Sequence, residues 1–146
     1  MIKLEDIDIA KILPQSTPFI LVDRIIDYKP GKSLTAVKNV TDGEWYLRNR
    51  FTPQSVPQSI VLEMAAQVGL MLHQLSMIGY GEKIPVYFLG KLDVEFGLES
   101  SVGDQLRIEA SAEKMMTSGG FSTIAVRKNN KDICLKTKIY YKVVRE

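Results

Sequence analysis

Residues 57–79, PQSIVLEMAAQVGLMLHQLSMIG, constrain the fold more than any other stretch. Between Ile60 and Ile78 stand one formal charge, Glu63, and one histidine, His73. A helix there is apolar nearly all round, so it is either wrapped by the rest of the chain or crosses a membrane. Its ends are marked. Ser55 and Gln58 have the S-x-x-Q spacing of a capping box, Pro57 suits a first turn, and Gly79 and Gly81 suit a left-handed C-cap. Its length of about 20 residues would just span a bilayer. However, Glu63, Gln67 and Gln74 are costly in lipid, and no Lys/Arg asymmetry flanks them. The expectation is a wrapped core helix with no membrane insertion. At about 100° per residue, Gln67 and Gln74 lie about 40° and 20° from Glu63. The three predict one polar stripe on a greasy rod, a buried carboxylate facing amides.

The chain has 146 residues, 45% hydrophobic and 25% charged, which suits one globular domain over residues 1–146. A net charge of +2 without a long basic run argues against nucleic acid as a partner. The N-terminus, MIKLEDIDIAKIL, is charged and amphipathic and lacks the apolar core of a signal peptide. The single Cys134 excludes an internal disulfide and fits a reducing compartment, so a cytoplasmic location is expected. One histidine and one cysteine argue against a transition-metal site; neither metal nor cofactor is expected.

Residues 4–12 predict a short helix ended by Pro14, and residues 19–27 and 32–40 a hairpin of two strands. The loop 41–58 carries Trp45, Tyr46, Arg48 and Arg50; a loop this long is often functional. Beyond the helix, strands are predicted over 86–96, with Gly90 as a bulge point, and over 105–113, 121–128 and 131–144. Asn129-Asn130 signals the last hairpin turn. In the final strand Ile133, Leu135, Ile139, Tyr141 and Val143 share the inner face, which makes Cys134 a surface or interface thiol. His73 reads as a satisfied core histidine. This order predicts an α+β fold, one antiparallel sheet curled around a single buried helix. Its exposed edge invites a second copy.

The segments ILPQSTPFILVDRI (12–25), KNVTDGEW (38–45) and VPQSIVLEMAAQ (56–67) resemble the β-hydroxyacyl-acyl-carrier-protein dehydratases of the FabZ and FabA type. YFLGKLDVEF (87–96) and VGDQLRIE (102–109) extend the likeness over most of the chain. The resemblance implies a hotdog fold, assembly as a homodimer or trimer of dimers, and a site shared between two subunits. It also implies an acyl carrier protein as partner, presenting a 3-hydroxyacyl chain on phosphopantetheine. Glu63 matches the family's helix glutamate, Gln67 the glutamine one turn later, and Phe51 the aromatic of its GHFP loop. Gln58 and Ser59 stand at the helix start, where the family binds the thioester.

The likeness breaks at the chemistry. Arg50 stands where the family has its catalytic histidine, Gln58 replaces a glycine, the loop before Pro57 is one residue shorter, and Gln15 replaces a histidine of the LPHR segment. Arginine cannot serve as a general base, because its pKa is above about 12. The implied function is a divergent dehydratase-like protein that dehydrates or binds acyl thioesters, with Glu63 and Arg50 as site residues. Alternatives are a non-catalytic, acyl-carrier-binding or accessory subunit of a dehydratase complex, and a hotdog thioesterase.

Overall fold

The computed structural model describes residues 2–47 and 55–145. The apolar stretch forms α1, Gln58–His73, and continues as a π-helical turn over Gln74–Ile78. Val61, Met64, Ala65, Val68, Met71 and Leu72 are at most 1% exposed. The span Gln58–Ile78 is long and apolar enough to cross a membrane, yet 56% of its apolar window is buried inside this chain. That is the pattern of a core helix.

The helix start differs from expectation. Pro57 occupies the N-cap without a side-chain cap bond, and Ser55 bridges to Ser101 across the loop. With Ser55 held in that bridge, the capping box does not form. At the other end Gly79, at φ 123°, donates its N–H to the Gln74 carbonyl at 2.8 Å. Glycine takes this conformation without steric cost.

Six strands form one antiparallel sheet: β1 Arg24–Lys29, β2 Ser33–Asn39, β3 Val86–Phe96, β4 Gln105–Met116, β5 Gly119–Lys128 and β6 Asp132–Val144. Their order across the sheet is β1-β2-β4-β5-β6-β3. In β4, Leu106, Ile108 and Ala110 are buried while Arg107 and Glu109 point outward, the period-two pattern of a sheet with one dry face. α1 packs across β2, β4, β5 and β6, so the sheet curls around the helix as the hotdog arrangement requires. Asn129 and Asn130 both have positive φ, 54° and 57°, as a tight primed turn between β5 and β6 demands.

Three local expectations change. The N-terminal segment forms two separate 3₁₀ turns, Leu4–Asp6 and Ile9–Lys11, instead of one helix. Asp8 breaks the run: its side chain accepts from Ala10 N, and its own N–H donates to the Tyr80 hydroxyl. The first strand begins at Arg24, not at residue 19, because the main chain at 19–21 is bonded to the helix residue Gln67. Cys134 is fully buried, not a surface thiol. The β5–β6 register runs Val126 to Leu135 and then Arg127 to Ile133, leaving Cys134 as the extra residue of a bulge. A bulge lets two successive side chains face the core, so Cys134 and Leu135 are both inside. The bulge anticipated at Gly90 is present, as a register shift between Leu89 and Lys91.

Candidate functional site

Glu63 lies on the second turn of α1, with its side chain exposed. Beside it opens a cavity of about 240 Å³ between α1 and the sheet. The helix contributes Glu63, Ala66, Gly69 and Leu70; facing them are Tyr87–Leu89 of β3, Ser122 and Ile124 of β5, and Ile139 and Tyr141 of β6. Gln15 completes the wall. Gly69 lets helix and sheet approach here, since a Cβ at that position would lie 3.1 Å from Ile124 Cδ1. From Glu63 to Leu70 the cavity follows the helix for about 10 Å, at about 1.5 Å per residue.

The predicted polar stripe does not form, and Glu63 is not a buried carboxylate in the single chain. Gln67 and Gln74 are buried and line no part of the cavity. Gln67 is captured on one side: its Nε2 donates to the Phe19 carbonyl at 2.7 Å, and its Oε1 accepts from Leu21 N at 3.0 Å. Both ends of the amide are thus spent on the chain's own backbone. Gln74 is held on the other side, where its Oε1 lies 3.2 Å from the Tyr87 hydroxyl. An angular offset of about 40° on a helix is enough to put neighbouring residues under different elements.

His73 is the satisfied core histidine that the sequence suggests. Nε2 lies 2.8 Å from the Met116 carbonyl, which can only accept, so that nitrogen carries the proton. Nδ1 lies 2.9 Å from the Tyr87 hydroxyl. Burial holds its pKa below the ordinary 6.5, against the smaller upward pull of the Met116 bond. Its ring packs edge-on against Tyr87 and Tyr141 at 5.4 and 5.3 Å.

Among the other predicted site residues, Gln58 is half-buried at the first position of α1 and Ser59 is exposed beside it. Neither lines the cavity. Arg50 and Phe51 lie outside the described residues. Gln15, which departs from the family motif, does reach the cavity, with Oε1 buried. Sequence reasoning missed Ser122. It is the polar member of the inward-facing row Ser122, Ile124 and Val126, and that interruption of an apolar row was its only signal. The sequence pattern puts Tyr141 on the inner face of the last strand and gives no sign of a site there. Burial pushes the Tyr141 hydroxyl's pKa up, against a smaller opposite pull from the neighbouring Ser122 hydroxyl. The two hydroxyls are neighbours without hydrogen-bond geometry, and neither has a partner among the described residues.

A second polar cluster lies outside the cavity wall. Lys38 Nζ lies 3.0 Å from Asp23 Oδ1 and 2.8 Å from Glu44 Oε2. Asp23 also accepts from Asn39 N at 2.7 Å, and Thr41 donates its hydroxyl to Glu44 at 2.9 Å. This knot ties the LVDR segment, β2 and the start of the long loop together. Trp45 anchors the same loop through Nε1, which donates to the Pro18 carbonyl at 2.9 Å. Among the described residues no group of three or more His, Cys, Asp or Glu side chains is arranged to hold a metal ion.

Residues 13–135 match the model of the FabA-like domain. The chain belongs to the FabA-like family. Relatives include the 3-hydroxyacyl-[acyl-carrier-protein] dehydratase FabZ of Shewanella woodyi, 35% identical over 128 residues, covering 87% of this chain and 84% of the relative. FabZ of Clostridium tetani is 32% identical over 137 residues, covering 93% and 94%. Among solved structures, the dehydratase heterocomplex ApeI:P from Xenorhabdus doucetiae superposes with a TM-score of 0.80 at 14% identity, covering 94% of this chain and 91% of that one. That likeness shows the hotdog fold. In this FabA-like chain the matched region takes in Gln15, the Asp23–Lys38–Glu44 knot, all of α1 and the cavity wall on β5.

Proposed function

We propose that this protein is a divergent FabZ-type dehydratase that binds 3-hydroxyacyl thioesters delivered by an acyl carrier protein and dehydrates them slowly, in the cytoplasm. The observation that carries this reading is an exposed carboxylate, Glu63, at a largely apolar cavity beside the core helix of a FabA-like fold. Elimination of water needs a base for the Cα proton and an acid for the hydroxyl on C3. Glu63 performs both in turn. As carboxylate it takes the Cα proton, the Cα–H pair forms the new double bond, the C3–O bond breaks, and the leaving oxygen receives the proton from Glu63. Atoms balance as one water, and the carboxylate is restored.

Arg50 stands at the histidine position of the motif and cannot accept a proton. Its role in this reading is electrostatic, holding Glu63 ionised or gripping an anionic part of the substrate. The loss of a positioned second base accounts for slow turnover, by about 10²–10⁴. Arg50 also favours a second reading, an acyl-carrier-binding subunit without turnover that supports an intact paralogue.

Mass spectrometry of the purified protein incubated with a panel of 3-hydroxyacyl carriers separates these readings. Slow loss of one water is expected, abolished by Glu63→Gln and accelerated by Arg50→His. Carriers that bind but never lose water, even with Arg50→His, would establish the second reading. Robust turnover that survives Glu63→Gln would sink the scheme.

A further inference from the structure

The wall of the cavity is not uniformly apolar. Five buried side-chain polar atoms have no hydrogen-bond partner among the described residues, and three of them belong to cavity residues: Gln15 Oε1, Ser122 Oγ and Tyr141 Oη. Buried polar atoms are ordinarily paired, so three orphans on one cavity point to a missing partner. Ser122 is 1% exposed. Ser122 and Tyr141 also lie together. In the β5–β6 register Ser122 faces Ile139 and Gly120 faces Tyr141, so the two side chains are one step apart on adjacent strands. Tyr141 packs on His73, which is ten residues beyond Glu63. The hydroxyl pair therefore sits toward the far end of the cavity, about 10–15 Å from Glu63 along α1.

We infer that the far end of the cavity binds a hydrogen-bonding group carried on the tail of the acyl chain, an alcohol or phenol hydroxyl, with Ser122 and Tyr141 as its partners. This rests on the reading of the cavity as an acyl site. A plain alkyl tail would leave the two neighbouring hydroxyls with only each other, in poor geometry, whereas a third hydroxyl, able both to donate and to accept, pairs with both. Sites built to pair a substrate hydroxyl discriminate strongly against its absence. The substrate class is thus a medium-length acyl thioester with a polar tail.

The test is direct binding of two matched probes, dodecanoyl-pantetheine and 12-hydroxydodecanoyl-pantetheine, by calorimetry on the full chain. Wild type is expected to bind the hydroxylated probe about tenfold more tightly, one good hydrogen bond's worth. Ser122→Ala and Tyr141→Phe should each erode that preference, read as the ratio of the two affinities in the same variant. Thermal unfolding confirms that both variants fold, and either one alone suffices. Equal affinity of wild type for the two probes would mean that water satisfies the hydroxyls, and would overturn this inference while the acyl-site reading stands. Failure to bind either probe overturns both.

Discussion

Single residues hold the family's motif segments in place. Glu44 and Lys38 form the tightest contact of the Asp23–Lys38–Glu44 knot, with side chains 18% and 11% exposed. Burial alone would push both toward their neutral forms, but their mutual hydrogen bonds and charges outweigh it. Lys38 is held above its ordinary value and Glu44 below its own of 4.5. A carboxylate with a depressed folded pKa contributes stability that is present above its unfolded pKa and lost as pH falls through the folded one. Glu44→Gln should therefore cost about 1–2 kcal/mol at neutral pH, between the values for exposed and buried pairs. It should also flatten the decline in stability between about pH 5 and pH 3. Urea midpoints of both proteins at the two ends of that range check it. A decline equally steep in the variant would show that other groups carry the acid sensitivity. The knot gives the segments LVDR and KNVTDGEW a joint structural role, although nothing in either segment alone says that Asp23 and Glu44 share one lysine.

At the scale of elements, much of the fold is legible and the exceptions have local causes. α1, β3, β4 and the β5–β6 turn follow from apolar run length, period-two alternation and Asn129-Asn130. What pattern reading misses are positions where one side chain redirects the backbone. Gln67 holds 19–21 out of the first strand, Asp8 splits the N-terminal helix, and the bulge turns Cys134 inward. None is a property of local composition; each depends on a partner tens of residues away or on a register that alternation cannot reveal. The candidate site is legible to the same degree. Glu63 stands out as the lone charge on an apolar helix, whereas Ser122 and Tyr141 become neighbours only through the pairing of β5 with β6. The end of the β4–β5 hairpin shows how tight such placements are. A Cβ on Gly120 would lie 2.0 Å from the Lys114 carbonyl, while at Gly43 nothing lies within 4 Å. Gly120→Ala should cost about 1–3 kcal/mol, as overpacking does. Gly43→Ala should stay within about 0.5 kcal/mol, as free surface positions do. Denaturant unfolding of the pair decides; equal effects would remove the steric account of this hairpin.

At the scale of the whole molecule, the single chain is unfinished along β3. This 11-residue strand pairs only with β6, so its other edge is open. Val86, Phe88 and Leu89 are 43%, 53% and 57% exposed there, a run of large apolar groups on an unpaired edge. Such edges are normally blunted by charge, proline or cover. Phe88 and Leu89 also line the cavity that Glu63 borders, so whatever covers this edge shapes the site as well. A second copy is the economical cover: antiparallel pairing of two β3 strands would continue the sheet, bury the apolar run and take Glu63 out of open solvent. The expected state is therefore a dimer or a multiple of dimers at micromolar concentration, read by sedimentation velocity. Leu89→Lys places a charge on this edge at a side chain already more than half exposed, so within one chain it should cost no more than a surface substitution, about 0.5 kcal/mol. Across a paired edge it would bury two like charges in one interface, and the variant should sediment as a folded monomer. Wild-type protein that remains monomeric at these concentrations would leave the β3 edge uncovered and remove the basis for a site shared between copies.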